Sequence, residues 1–147
     1  MQMLLLLLAL AAPVQTRTVN VPDGAFLLEV PSEWDWSEEK TLESGGDVVW
    51  LALAPHWEDG FVVIASKRDP FDVIAAWHTG QKISKLATEH LKDGSSRITY
   101  TARDKKETLY GFAYAVKGVL LAAESSKNEE PAALKRAAVS LRWFAGP

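Results

Sequence analysis

Cysteine is absent from this chain. That removes disulfides, thiolate metal ligands, a cysteine nucleophile and a lipid-modified cysteine behind a leader. A bacterial lipoprotein is therefore excluded. Charge of one sign is also scarce in excess: 16 Lys and Arg stand against 19 Asp and Glu, a formal net charge of -3. Such a balance supplies no general attraction to nucleic acid or anionic lipid. No Gly-x-Ser-x-Gly, His-Glu-x-x-His, Walker or dinucleotide pattern occurs, so the common signatures of acyl transfer, metalloprotease, nucleotide and cofactor chemistry are missing. Repeats and low-complexity stretches are missing too, apart from one apolar run at the start. No charged side chain precedes Arg17.

That opening run, Leu4 to Ala12, has the length of a secretory leader and falls short of the roughly 20 residues needed to span a bilayer. Five consecutive leucines have no amphipathic period with which to pack one face against a core. Ala9-Leu10-Ala11 places small residues where a signal peptidase reads them, so residues 1–11 are assigned to a signal peptide and 12–24 to a short leader. The expected location is periplasmic or secreted. Cleavage leaves about 136 of the 147 residues, enough for one domain with its own core, assigned to 25–147.

Pro22-Asp23-Gly24 marks a turn into a strand from Ala25 to Val30, which Pro31 stops. Trp34-Asp35-Trp36 alternates in the strand sense, with both indoles on one face and assigned to the core. Asp47 to Ala54 and Phe61 to Ser66 are apolar on both faces, as strands covered on two sides are, and the loop 55–60 joins them as a hairpin. Asp69-Pro70 opens a helix, with Asp69 as cap and Pro70 in the first turn. Val73, Ala76, Trp77, Gly80, Ile83, Ala87 and Leu91 share one helical face, so a single helix to about residue 92 is expected, with Gly80 costing about 1 kcal/mol inside it. Arg97 to Arg103, Thr108 to Val116 and Val119 to Ser125 then form a meander, with Lys117-Gly118 as a two-residue hairpin. Pro131 opens a last helix on which Leu134, Ala138 and Leu141 share a face. The sum is an α+β domain, an α/β/α sandwich whose largely antiparallel sheet has about six strands between helices.

The segment Phe26-Leu27-Leu28-Glu29-Val30-Pro31-Ser32-Glu33-Trp34 resembles the opening strand and turn of the Mog1/PsbP-like domains. Gly118 to Ala123, an acidic turn, a helix and Ser140-Leu141-Arg142-Trp143-Phe144 are similar to the way that fold finishes. The resemblance covers essentially all of the chain beyond the leader and rests on packing and turn residues. It implies an α/β/α sandwich without a catalytic signature. Known members include a nuclear transport accessory, photosynthetic extrinsic subunits and bacterial envelope proteins, most of which act by binding other proteins. The cysteine that anchors many bacterial envelope members is missing here.

The three histidines are the first place to seek a metal or a general base. On one helix, His78 and His90 would point roughly 120° apart and share no ion. His78 would lie opposite the apolar stripe and His90 on its flank. His56 stands beside Glu58 and Asp59 in the hairpin loop, a set open to three readings: metal ligands, an acid/base pair for a hydrolase, or a solvated polar loop. Trp57 at the loop tip is either folded over a sheet edge or offered to a partner. Tyr110, Phe112 and Tyr114 share one face of a strand whose other face, with Gly111, Ala113 and Ala115, is small; the aromatics fill a second core layer or form a platform for a peptide or glycan. Arg97 and Arg103 stand on the polar face of their strand, positioned for Glu107 or an acidic ligand. The candidate binding residues are thus Trp57, His56, Glu58, Tyr110, Tyr114, Arg97 and Arg103, with no catalytic residue, cofactor or metal assigned. The expected function is an exported, non-catalytic accessory domain that binds a protein or an envelope component. A small-ligand carrier, or a hydrolase or metal-dependent enzyme built on the His56, Glu58 and Asp59 loop, is the alternative.

Overall fold

The computed structural model describes residues 15–21, 26–39, 48–55, 59–78 and 80–143. The assigned signal peptide, residues 1–11, lies outside them. Among the described residues ten strands and two helices follow in the order β1 (Thr16–Val21), β2 (Phe26–Pro31), β3 (Asp35–Glu39), β4 (Val48–Leu53), β5 (Gly60–Ala65), α1 (Pro70–Trp77), β6 (Lys82–His90), β7 (Ser96–Arg103), β8 (Thr108–Val116), β9 (Val119–Ser125), α2 (Ala132–Ser140) and β10 (Arg142–Trp143). Residues 16–21, within the stretch assigned to a leader, pair antiparallel with β2, so the folded unit includes them.

A seven-stranded sheet in the order β3-β4-β5-β9-β8-β7-β6 forms the centre, and β1-β2-β10 forms a second, three-stranded sheet. Every pairing is antiparallel. The chain leaves β5 in the middle of the large sheet, crosses one face through α1 and re-enters at the far edge as β6. The meander β6 to β9 then brings it back beside β5. Lys117 and Gly118 both take positive φ, 47° and 83°, the backbone that a tight two-residue hairpin between β8 and β9 requires.

The alternation of side chains sorts the large sheet into two cores. Trp50, Ala52, Phe61, Val63, Phe112, Tyr114, Leu121 and Ala123 face the small sheet and α2, which add Phe26, Leu28, Val30, Leu134, Ala137 and Ala138. Val49, Val62, Ile64, Ile98, Tyr100, Ala113, Leu120 and Ala122 face α1, which adds Val73 and Ile74. Both indoles of the Trp34-Asp35-Trp36 segment join the first core. Trp36 stacks on Trp50 at 6.5 Å between ring centroids, and Trp34 lies 6.0 Å from the Phe61 ring. The α+β architecture expected from the sequence is the one observed.

The long helix is not. Asp69 caps α1 as expected, its Oδ1 accepting from the Phe71 N–H at 3.0 Å, with Pro70 at the first position. The helix stops at Trp77, where the His78 N–H bonds the Ala75 carbonyl, and Gly80 takes a φ of 85° that no helix tolerates. Residues 82–90, expected as the second half of the helix, are the edge strand β6, which is why the sheet has seven strands rather than about six. The edge of β7 offers unpaired backbone groups to this segment, and Ile83, opposite Ala102, reaches the α1 core. A bulge between Lys85 and Ala87 leaves Leu86 59% exposed. Charged side chains and a bulge are the usual means of blunting an edge strand.

Candidate functional site

Because α1 has only two turns, it covers only part of its face of the sheet. Beyond its C-terminal end the sheet is open, in a cleft of about 330 Å³. The floor is a row of residues running across the strands. Tyr100 of β7 is opposite Gly111 of β8, and Gly111 is opposite Glu124 of β9. On the far side Gly60 of β5 is opposite Leu53 of β4. A Cβ on Gly111 would clash with Cζ and Cε2 of Tyr100, so the ring lies over the glycine. Gly60 has no more room, since a Cβ there would stand 2.8 Å from the Ala52 carbonyl oxygen.

The end of α1 places His78 over this floor. His78 is only 8% exposed. Its Nδ1 lies 2.7 Å from the Ile74 carbonyl and its Nε2 lies 2.5 Å and 2.6 Å from the two oxygens of Glu124. The Nδ1 must donate to the carbonyl, and Nε2 meets a carboxylate favourably only when it also carries a proton, so the ring is an imidazolium. Burial by itself lowers the His78 pKa. The hydrogen bond to Glu124, the bond to the Ile74 carbonyl and the Glu124 charge outweigh it, and the net shift is upward. The imidazole edge meets the Tyr100 ring with centroids 5.9 Å apart. Tyr100 is 1% exposed, and among the described residues its hydroxyl has no hydrogen-bond partner. Burial, followed by the charge of Glu124, pushes its pKa far up, so it remains a neutral phenol. Leu51, Leu53, Ile74 and Trp77 supply apolar walls, and Asp59 stands at the rim.

The residues singled out from the sequence fall in three places. His56, Trp57 and Glu58 lie outside the described residues; the feet of their hairpin, Leu53 on one side and Asp59 and Gly60 on the other, line the cleft. The hairpin is closed by the Ala54 N–H bonding the Asp59 carbonyl at 2.9 Å. Tyr114 and Arg97 lie on the opposite face of the sheet, where they share Glu130. The Tyr114 hydroxyl donates to Glu130 Oε1 at 2.7 Å and Arg97 Nε donates to the same oxygen at 2.9 Å. Burial and then Glu130 raise the Tyr114 pKa to about 12. This cluster ties the approach to α2 onto the sheet. Tyr110 is half-buried against the first core, and Arg103 is exposed at the end of β7. His78 and His90 do not share a helix: His78 is buried rather than opposite an apolar stripe, and His90 lies on β6 with Nδ1 3.1 Å from the Ser96 hydroxyl. Among the described residues no group of three His, Cys, Asp or Glu is placed to hold a metal, and no helix is long and apolar enough to cross a membrane.

The sequence reading missed Glu124, Tyr100 and Trp77 as site residues. A signal for the first was present, because Glu124 is the one charge in the strand Val119–Ser125 and alternates onto the same face as Leu120 and Ala122.

The architecture of a large antiparallel sheet with helices on its two faces and a small sheet against one of them matches solved structures over most of the chain. The cyanobacterial PsbP protein CyanoP from Synechocystis sp. PCC 6803 matches with a TM-score of 0.57 at 13% identity, over 90% of this chain and 95% of that one. The fold is Mog1/PsbP-like. The Saccharomyces cerevisiae Ran-binding protein Mog1p matches with a TM-score of 0.55 at 14% identity, over 89% of this chain and 96% of its own. No protein-family model and no curated protein matches the sequence. What the Mog1/PsbP-like domains share with this chain is thus the fold, and the side chains of the cleft have to be read for themselves.

Proposed function

We propose that this chain is an exported, non-catalytic accessory domain that binds a protein or an envelope component through the β4-β5 hairpin and the cleft at its foot. One observation carries the reading. The hairpin bearing His56, Trp57 and Glu58 is rooted at Leu53 and Asp59, and both of these residues line an open, apolar-walled cleft. A cleft with apolar walls and a few polar groups has the composition of a binding site, and tryptophan is a residue type enriched at binding hot spots. The leader read at residues 1–11 supports export to the periplasm or the medium. The fold shared with a Ran-binding protein adds an instance of this architecture serving protein binding. A cleft of about 330 Å³ lies at the lower end of the roughly 300–1,000 Å³ usual for small ligands, which favours a small-ligand carrier as the second reading.

The test is a pull-down from an envelope extract with the full chain as wild type, Trp57→Ala and Leu53→Lys, each first shown by circular dichroism to be folded. A specific partner held by the wild type is expected to be lost, by roughly tenfold or more, from both variants. Retention by both variants would refute the hairpin and cleft as the binding surface.

A further inference from the structure

We propose that the cleft at the end of α1 takes the side chain of a lysine on a partner protein, with its ammonium group held among Glu124, Asp59 and the Tyr100 hydroxyl. The inference rests on the reading of this cleft as the binding surface and names what enters it. Among the described residues lining it, the charged groups are Glu124, Asp59 and His78, and no Lys or Arg is included. The imidazolium of His78 neutralises one carboxylate, and the surplus is negative. An anionic ligand would meet like charge there, and a cation would meet opposite charge.

The Tyr100 hydroxyl is the second, independent sign. A buried hydroxyl without a partner is costly, and such groups in native proteins call for a reason. Here the ring lies over Gly111, which stands between Tyr100 and Glu124 in the cross-strand row, and Tyr100 and Glu124 line the same cleft. Phenol oxygen accepts hydrogen bonds as well as donating them. Glu124 retains acceptor capacity as well, because both of its oxygens address a single Nε2–H of His78. An ammonium group has three rotatable donors, which suits acceptors drawn from β7, β9 and the foot of the hairpin better than the planar fork of a guanidinium does. The walls meet the rest of the side chain. Leu51, Leu53 and Ile74 cover an alkyl stem, and Trp77 offers an aromatic surface to the charge.

Binding is measured by NMR titration of the full chain with three probes. The first is an acetylated, amidated pentapeptide with a lysine among alanines, the second is the same peptide with the lysine ε-acetylated, and the third is n-butylammonium chloride. Saturable shifts at Trp77 and Tyr100 are expected with the lysine peptide, with affinity reduced roughly tenfold or more by acetylation, which removes the charge. Tyr100→Phe removes only a hydroxyl that the folded chain leaves unpaired, so its melting temperature is expected to hold while the affinity for the lysine peptide falls roughly tenfold. Equal binding of the two peptides, or no shifts in the cleft with either, overturns the inference. Butylammonium binding as tightly as the lysine peptide overturns the protein source. If the pull-down partner still depends on Trp57 while the lysine peptide fails to bind, the ammonium assignment falls and the binding surface stands.

Discussion

At His78, burial and pairing oppose each other within one side chain. The apolar surroundings disfavour the imidazolium, while Glu124 and the Ile74 carbonyl favour it, and the net effect raises its pKa above the ordinary value of 6.5. A group whose folded pKa is raised stabilises the fold fully below the unfolded pKa and loses that contribution as the pH climbs through the folded value. Between pH 6 and pH 9, wild-type stability measured by urea denaturation is therefore expected to decline with rising pH. In His78→Gln that component of the slope is expected to vanish; an unchanged slope would show that the pair carries no such linkage. Nothing in local sequence reveals this arrangement. His78 and Glu124 are 46 positions apart, and only the folding of the sheet brings them into contact.

At the scale of elements, what was legible followed from period. β2, β4, β5, β7, β8 and β9 all have apolar side chains on one or both faces and stand out as strands from sequence alone. β6 has neither signal. It is an edge strand whose residues are mostly exposed, and Ile83, Ala87 and Leu91 happen to continue the helical spacing of Val73 and Ala76. Only Gly80 argued against a continuous helix, at a cost of about 1 kcal/mol, which tertiary pairing readily overrides. The cross-strand pair of Tyr100 and Gly111 shows the same dependence on context. At Gly111 the small face of β8 is matched to a large ring from β7. Gly111→Ala is expected to cost about 1–3 kcal/mol by overpacking in wild type and much less in a Tyr100→Ala background. A double-mutant cycle in urea checks this; equal costs in both backgrounds would mean that the ring is not what occupies the space.

Across the whole molecule, one sheet serves two cores. Trp50 reports on the face covered by the small sheet and α2, and Trp77 on the face covered by α1. β5 and β9 contribute side chains to both, so neither core can be lost while the other keeps its floor. Tryptophan fluorescence and far-ultraviolet circular dichroism are therefore expected to give coincident denaturation curves, as two-state unfolding requires; separated midpoints would show the two cores melting independently. The small sheet has a further mechanical consequence. β1 and β10 flank β2 and run parallel to each other, with Thr16 opposite Pro31 at one end and Trp143 opposite Phe26 at the other. A pull applied between residues 16 and 143 runs along the strands. It loads the β1-β2 hydrogen bonds in shear, all together, instead of opening them one after another like a zip.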